Sequence, residues 1–178
     1  MRQRRRSKLD ATRLGPWLSQ RSALFRQLSS EATEALLQRG RIRRFARDTV
    51  LAQQGQESLT FYVVVDGIVS ARVMFEGVQR EVFSYESGEL AGGLTLLRQG
   101  EWPYSLIASR EVEVVEFDAR AISKFVAALR PLATEFLRVV AGELAEHSRV
   151  LDQNMLRLSS QAQARTVGSG GTFRRDDR

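Results

Sequence analysis

Cysteine is absent from the 178 residues, which excludes disulfides and thiolate metal sites and leaves the redox compartment unmarked. Histidine occurs once, as His147, so a multi-histidine metal site is excluded and a Ser–His triad is a poor expectation. We expect neither a metal nor a cofactor. No apolar stretch approaches the roughly 18 residues that a membrane helix needs. The basic start is not followed by the apolar segment of a secretory signal, and a cytoplasmic location is expected. Proline is scarce too, at Pro16, Pro103 and Pro131 only. Lysine is nearly missing: the cations are arginines apart from Lys8 and Lys124.

What is present is enough for a globular core, with 43% of residues apolar. The length suits one domain of about 100–150 residues with flanking segments. The net charge of +6 is concentrated at the start, where Arg2 to Lys8 reads RQRRRSK. Residues 1–13 therefore read as a disordered basic arm. Its residues 2–8 could meet nucleic acid or an anionic membrane, or simply stay solvated.

Helical spacing of Trp17, Leu18, Leu24, Phe25 and Leu28 predicts a helical region over 16–39, with Pro16 in the first turn. Ser29 and Ser30 offer an N-cap for the stretch carrying Leu36 and Leu37, and Gly40 closes it. A barrel is predicted over 41–117. Its strands run from Arg41 to Phe45, Thr49 to Ala52, Thr60 to Val65, Ile68 to Phe75, Glu81 to Tyr85 and Val112 to Phe117. Asp66-Gly67 is expected to make a hairpin, and the strand after it to alternate as a half-buried strand does. Short strands with turns every 8–12 residues or so argue for a barrel or jelly roll. Asp118 is the expected cap of a helix over 119–129, and Arg130-Pro131 breaks it.

From Leu132 the pattern is helical to about Leu158. Leu137, Leu144, Leu151 and Leu158 recur in a heptad, with Val140, His147 and Asn154 between them. Residues 131–158 thus predict a dimerisation helix meeting its twin. The alternative is a stripe that folds back on its own barrel. Residues 159–178 are polar and glycine-rich and read as a flexible tail.

The most informative stretch is GELAGGLTLLRQGEWPYSLIAS, Gly88 to Ser109. A glycine pair, Gly92-Gly93, beside an apolar turn lets main-chain N–H groups approach an anion; a plain tight turn is the other reading. Together with Gln54-Gly55, Phe61-Tyr62-Val63-Val64 and Gly67, and with SALFRQLSSE upstream, this stretch resembles the cyclic-nucleotide-binding domain family of catabolite activators, protein kinase A regulatory subunits and gated channels. The resemblance implies a mainly β fold, a jelly-roll barrel with N-terminal helices and a long C-terminal helix. It makes residues 14–130 the domain and places a phosphate-binding cassette at Gly88, Gly92, Leu94, Leu96-Leu97 and Pro103.

The family's two ligand-holding residues are replaced. Gly93 stands where the resemblance implies the ribose-binding glutamate, and Tyr104 where it implies the arginine that pairs with the cyclic phosphate. Losing a buried charge pair costs on the order of 2–5 kcal/mol. At about 1.4 kcal/mol per tenfold, that is a factor of roughly 30 to several thousand in affinity. Ordinary cyclic AMP or GMP is therefore not the expected ligand. Candidate ligand-binding residues are Gly92, Gly93, Leu94, Arg98, Tyr104 and Ser105; Trp102 and Tyr104 either line a pocket for a different ligand or fill a vacated one. Glu89 and Glu101 have no evident catalytic partner, and no enzyme is expected. The cassette pattern G-E-L-x-G-x-L-x-x-L-x-x-G-E, followed by an aromatic, also resembles regulatory domains of neuropathy-target-esterase-like phospholipases. Their G-x-S-x-G elbow is absent here. Two functions remain: a non-catalytic regulatory or scaffolding homodimer with a degenerate site and a protein partner, or a small-ligand sensor of altered specificity whose ligand is a non-standard cyclic nucleotide.

Overall fold

Strand Phe61–Asp66 explains most of the architecture, because its run of apolar side chains is buried on both faces. Tyr62 and Val64 point into a core between two sheets, while Phe61 and Val63 point outward into a second core made with helices. The computed structural model describes residues 11–57, 60–75, 77–93 and 101–142, with the single positions 145, 148, 149 and 153.

In chain order the elements are α1 (Ala11–Arg21), α2 (Ala23–Arg26), α3 (Ser30–Leu37), then β1 (Arg41–Phe45), β2 (Val50–Ala52), β3 (Phe61–Asp66), β4 (Val69–Phe75), β5 (Val78–Tyr85), β6 (Leu90–Ala91), β7 (Ser105–Ala108) and β8 (Val112–Phe117). Helix α4 (Ala119–Ala128) follows, and α5 begins at 130 and is described to 142. One antiparallel sheet has the order β1-β8-β3-β6 and the other β2-β7-β4-β5. This is the expected jelly roll. The helices from both ends of the chain cover the outer face of the first sheet.

Local chemistry places the helix starts. Ser29 caps α3 by accepting from the Ala32 amide at 3.2 Å, and Asp118 caps α4 by accepting from the Ala121 amide at 2.8 Å. Ser29 is gripped in turn by α5: its amide and hydroxyl donate to the two oxygens of Glu135 at 2.5 and 3.2 Å.

Four expectations need correction. The Asp66-Gly67 turn makes no hairpin, because β3 and β4 lie in different sheets; it is the corner between them. Strand β4 does not alternate over its first half: Ser70 is as buried as Val69 and Ala71, since that half is covered on both sides. The helical region over 16–39 is three helices, and Pro16 sits inside α1 rather than in its first turn. Val140 leaves no surface for a seam between copies. It is fully buried in the chain's own helical core with Ala133, Phe136 and Val139, and Leu137 packs half-buried at the margin. Over 130–142 the stripe thus turns inward, because the outer face of β3 and β8 offers it Phe61 and Phe117. Leu144, His147, Leu151, Asn154 and Leu158 lie outside the described residues, as do the arm at 2–8 and the tail.

Candidate functional site

The cassette enters on β6, whose Leu90 and Ala91 are buried and paired to β3. Gly92 then takes a φ of +91°, and a Cβ built there would lie 2.3 Å from the outer edge of the Trp102 ring. The glycine is required by the turn and by the indole that presses on it. Trp102 is held by its backbone against the turn after β2: its carbonyl accepts from the Gly55 amide at 2.9 Å, and its amide donates to the Gln56 carbonyl at 3.0 Å. The open backbone that suggested an approach path is therefore the seat of an aromatic side chain.

Tyr104 completes the closure. It is 4% exposed, and its ring meets Phe83 edge-on at 5.0 Å and Trp102 at 6.1 Å between centroids. Its hydroxyl lies 2.8 Å from that of Tyr85, either being able to donate. Tyr85 is 2% exposed and packs edge-on against Phe83 at 5.0 Å. Four aromatic rings from β5 and from residues 102–104 thus fill the space beside the glycine turn, with the two tyrosine hydroxyls joined to each other. Such edge-on pairs each contribute about 0.5–1.5 kcal/mol beyond the area they bury.

Other candidates are committed elsewhere. The Ser105 hydroxyl accepts from the Gln54 amide at 3.0 Å and so fastens β7 to the turn after β2. Gly93 is buried. Leu94 and Arg98 lie outside the described residues. Glu89 accepts from the Glu86 amide at 2.6 Å and stabilises its own turn. The indole nitrogen of Trp102 is buried with no hydrogen-bond partner among the described residues. Among the described residues no group of three or more histidine, cysteine, aspartate or glutamate side chains could hold a metal.

Burial governs the ionisation of the site. It drives Tyr85 well up, with the Tyr104 hydroxyl adding to the effect and the Gly92 backbone opposing it. Tyr104 is raised by burial too, and lowered in part by its bond to Tyr85. Tyr62, whose hydroxyl donates to the Leu51 carbonyl, is pushed up to about 12, chiefly by burial and then by Glu116. These are all three tyrosines of the chain. Each is raised in the fold, so their contribution to stability is complete below the unfolded value of about 10 and is lost as pH rises through the folded values. A spectrophotometric titration should show almost no tyrosinate at the pH where free tyrosine is half ionised. The absorbance should then rise together with loss of the fold. A gradual, independent titration in the folded protein would contradict this burial.

Residues 42–128 match the family model described as the cyclic nucleotide-binding domain. The fold is that of the cyclic-nucleotide-binding domains. Among solved structures, a cyclic nucleotide-binding domain from Methylobacillus flagellatus is 14% identical with a TM-score of 0.71, over 80% of this chain and 84% of that one. The N-terminal domain of a transcriptional regulator from Streptomyces coelicolor is 24% identical, with a TM-score of 0.64 over 75% and 94%. The catabolite activator protein of Thermus thermophilus is 26% identical, with a TM-score of 0.65; the match covers 78% of this chain but 63% of that one. No curated protein matches the sequence significantly.

Within this cyclic-nucleotide-binding fold the structure brings together Gly92, Trp102 and Tyr104 as the sequence grouped them, and adds Phe83 and Tyr85. Those two were read only as a returning strand. Register sets Tyr85 and Ala108 opposite Val69, and Phe83 and Leu106 opposite Ala71, so the contacts of Tyr104 with Phe83 and Tyr85 run diagonally across β4. That proximity is a product of topology and has no local mark in the chain.

Proposed function

We propose that the chain is a non-catalytic regulatory or scaffolding module of cyclic-nucleotide-binding fold whose nucleotide site is degenerate. The observation that carries this reading is the aromatic cluster around Tyr104. A hydroxyl already bonded to Tyr85 stands at the position where the family resemblance implies a phosphate-binding arginine, and Trp102 covers the glycine turn. A neutral, buried hydroxyl supplies none of the charge that a cyclic phosphate needs. The cassette's further resemblance to regulatory domains of neuropathy-target-esterase-like proteins favours a module that works through a protein partner. A cytoplasmic setting fits, since no described helix is long and apolar enough to cross a membrane.

The deciding experiment is a thermal-shift and calorimetry panel of cyclic mononucleotides and cyclic dinucleotides on the full chain. We expect no saturable stabilisation by cyclic AMP or cyclic GMP at millimolar concentration. A saturable shift with either overturns the degenerate-site reading. The second reading, a sensor for some other small ligand, is favoured by the Trp102 indole N–H, a buried donor with no acceptor among the described residues. A ligand bearing an acceptor would satisfy it, and saturable binding of a non-standard cyclic nucleotide or a related small metabolite would select that reading.

Self-association is proposed through residues after 142. The double variant Leu144→Asp, Leu151→Asp should convert a dimer to a monomer by light scattering. An unchanged mass sinks the proposal.

A further inference from the structure

Charge is unevenly spread along this chain. Of its 27 cations and 21 acids, eight cations and one acid, Asp10, fall in residues 1–30. The remainder carries 19 cations against 20 acids, so the whole net positive charge belongs to the first thirty residues. It begins with the five cations of Arg2 to Lys8 and continues onto the first two helices as Arg13, Arg21 and Arg26, all exposed. No acid lies between Ala11 and Ser30. Among the described residues none of these three arginines makes an ion pair, whereas the exposed arginines of β1 are each matched: Arg41 to Asp118 at 3.5 Å, Arg43 to Glu116 at 3.3 Å, and Arg44 to Glu113. Helix stability does not account for Arg13, because a cation in the first turn of α1 opposes the helix dipole.

Arg13, Trp17 and Arg21 recur at every fourth residue and share one face of α1. The Trp17 ring packs half-buried on the helical core, with the Arg21 guanidinium 5.3 Å from its centroid. The large apolar side chains exposed among the described residues, Val50, Met74, Phe75, Val78 and Val126, all lie outside the first three helices.

We infer that α1 and α2, continuing from the arm, form a surface for double-stranded nucleic acid, held through its phosphates without base readout. Guanidinium groups match phosphate oxygens in pairs. A membrane calls for apolar side chains that enter it beside the cations, and a protein partner for an apolar or aromatic anchor at the centre of the contact. A single strand calls for open rings on which bases stack. This face offers unpaired arginine without any of the three. Nothing in the proposal depends on the state of the cassette.

The test is fluorescence anisotropy of a labelled DNA duplex with the full-length protein across a salt series. Binding should weaken steeply with salt, and the slope of log affinity on log salt should shrink by about 0.9 for each phosphate contact removed. Arg13→Gln, Arg21→Gln and Arg26→Gln together should therefore cut the slope by about 2–3 and weaken binding roughly tenfold or more at about 100 mM salt. Arg41→Gln, Arg43→Gln and Arg44→Gln together remove the same charge from paired sites and should leave the slope in place. Equal losses in the two triples overturn the proposal, as does failure of the unmodified chain to bind the duplex at about 50 mM salt. All six side chains are exposed, and thermal unfolding checks that both triples fold. Deleting residues 2–8 supplies a second variant: salt-dependent binding should persist and then vanish when the helix triple is added. Complete loss on deletion alone overturns the part assigned to α1 and α2. Two duplexes of unrelated sequence should bind alike; a marked preference between them overturns the phosphate mode. Tighter binding to the matching single strand, or to vesicles of anionic phospholipid, overturns the choice of partner.

Discussion

Phe61→Ala should lower stability by about 3–5 kcal/mol, the range for removing a large aromatic from a packed core. The Phe61 ring is 0% exposed, stacks on Phe117 at 4.6 Å between centroids and meets Phe136 at 5.9 Å. It therefore joins the outer face of the sheet to α5, and Phe136 in turn meets Phe125 of α4 at 5.8 Å. The void cannot collapse easily, because its lining belongs to a strand on one side and to helices on the other. For a domain of this size the loss corresponds to a fall in Tm of very roughly 10 °C or more. Denaturant unfolding of the variant against the parent is the measurement. A change under 1 kcal/mol would mean that the helical layer is not packed as described.

Gly67→Ala should be nearly as costly, at about 2–5 kcal/mol, for a different reason. Gly67 has a φ of +102°, and an added Cβ would meet the Glu111 carbonyl oxygen at 2.7 Å and the Val112 Cα at 2.8 Å. The strained dihedral contributes about 1–3 kcal/mol, and crowding against backbone, which has no rotamer to yield, about as much again. Gly55→Ala is the control: its φ is +80° but nothing lies within 4 Å, so only the dihedral cost should appear. Equal losses for the two variants would show that the corner at Gly67 is not closely packed.

Much of the barrel was legible because its strands carry their own signals. Arg41–Phe45 and Val112–Phe117 have the expected bounds, and Asp118 caps α4 as read. What escaped was pairing. Asp66-Gly67 has hairpin composition, but composition cannot say that the strand before it pairs with β8 and the strand after it with β5 and β7. Burial of the first half of β4 escaped for the same reason, since Ser70 reads as a surface residue until its hydroxyl is seen donating to the Ile107 carbonyl at 3.3 Å. At the cassette, the missing charge at position 104 could be read from one residue. The second half of the closure, Tyr85, could not, because nothing in the local pattern of a strand announces which loop its last side chain will touch. The heptad after Leu132 misled over its first turns, for an apolar stripe fits a partner helix or the chain's own sheet equally well.

The grip of Glu135 on Ser29 spans 106 residues of sequence. The apolar faces of Leu18, Phe25 and Leu36 are buried partly by Phe136 and Val140, which are synthesised last among the residues of that core. At about 5–20 residues per second, a nascent chain would carry its first three helices uncovered for roughly 5–20 seconds before their complement leaves the ribosome. During that interval the apolar faces stay open to water, so a core that joins both ends of the chain closes only after nearly the whole of it has been made.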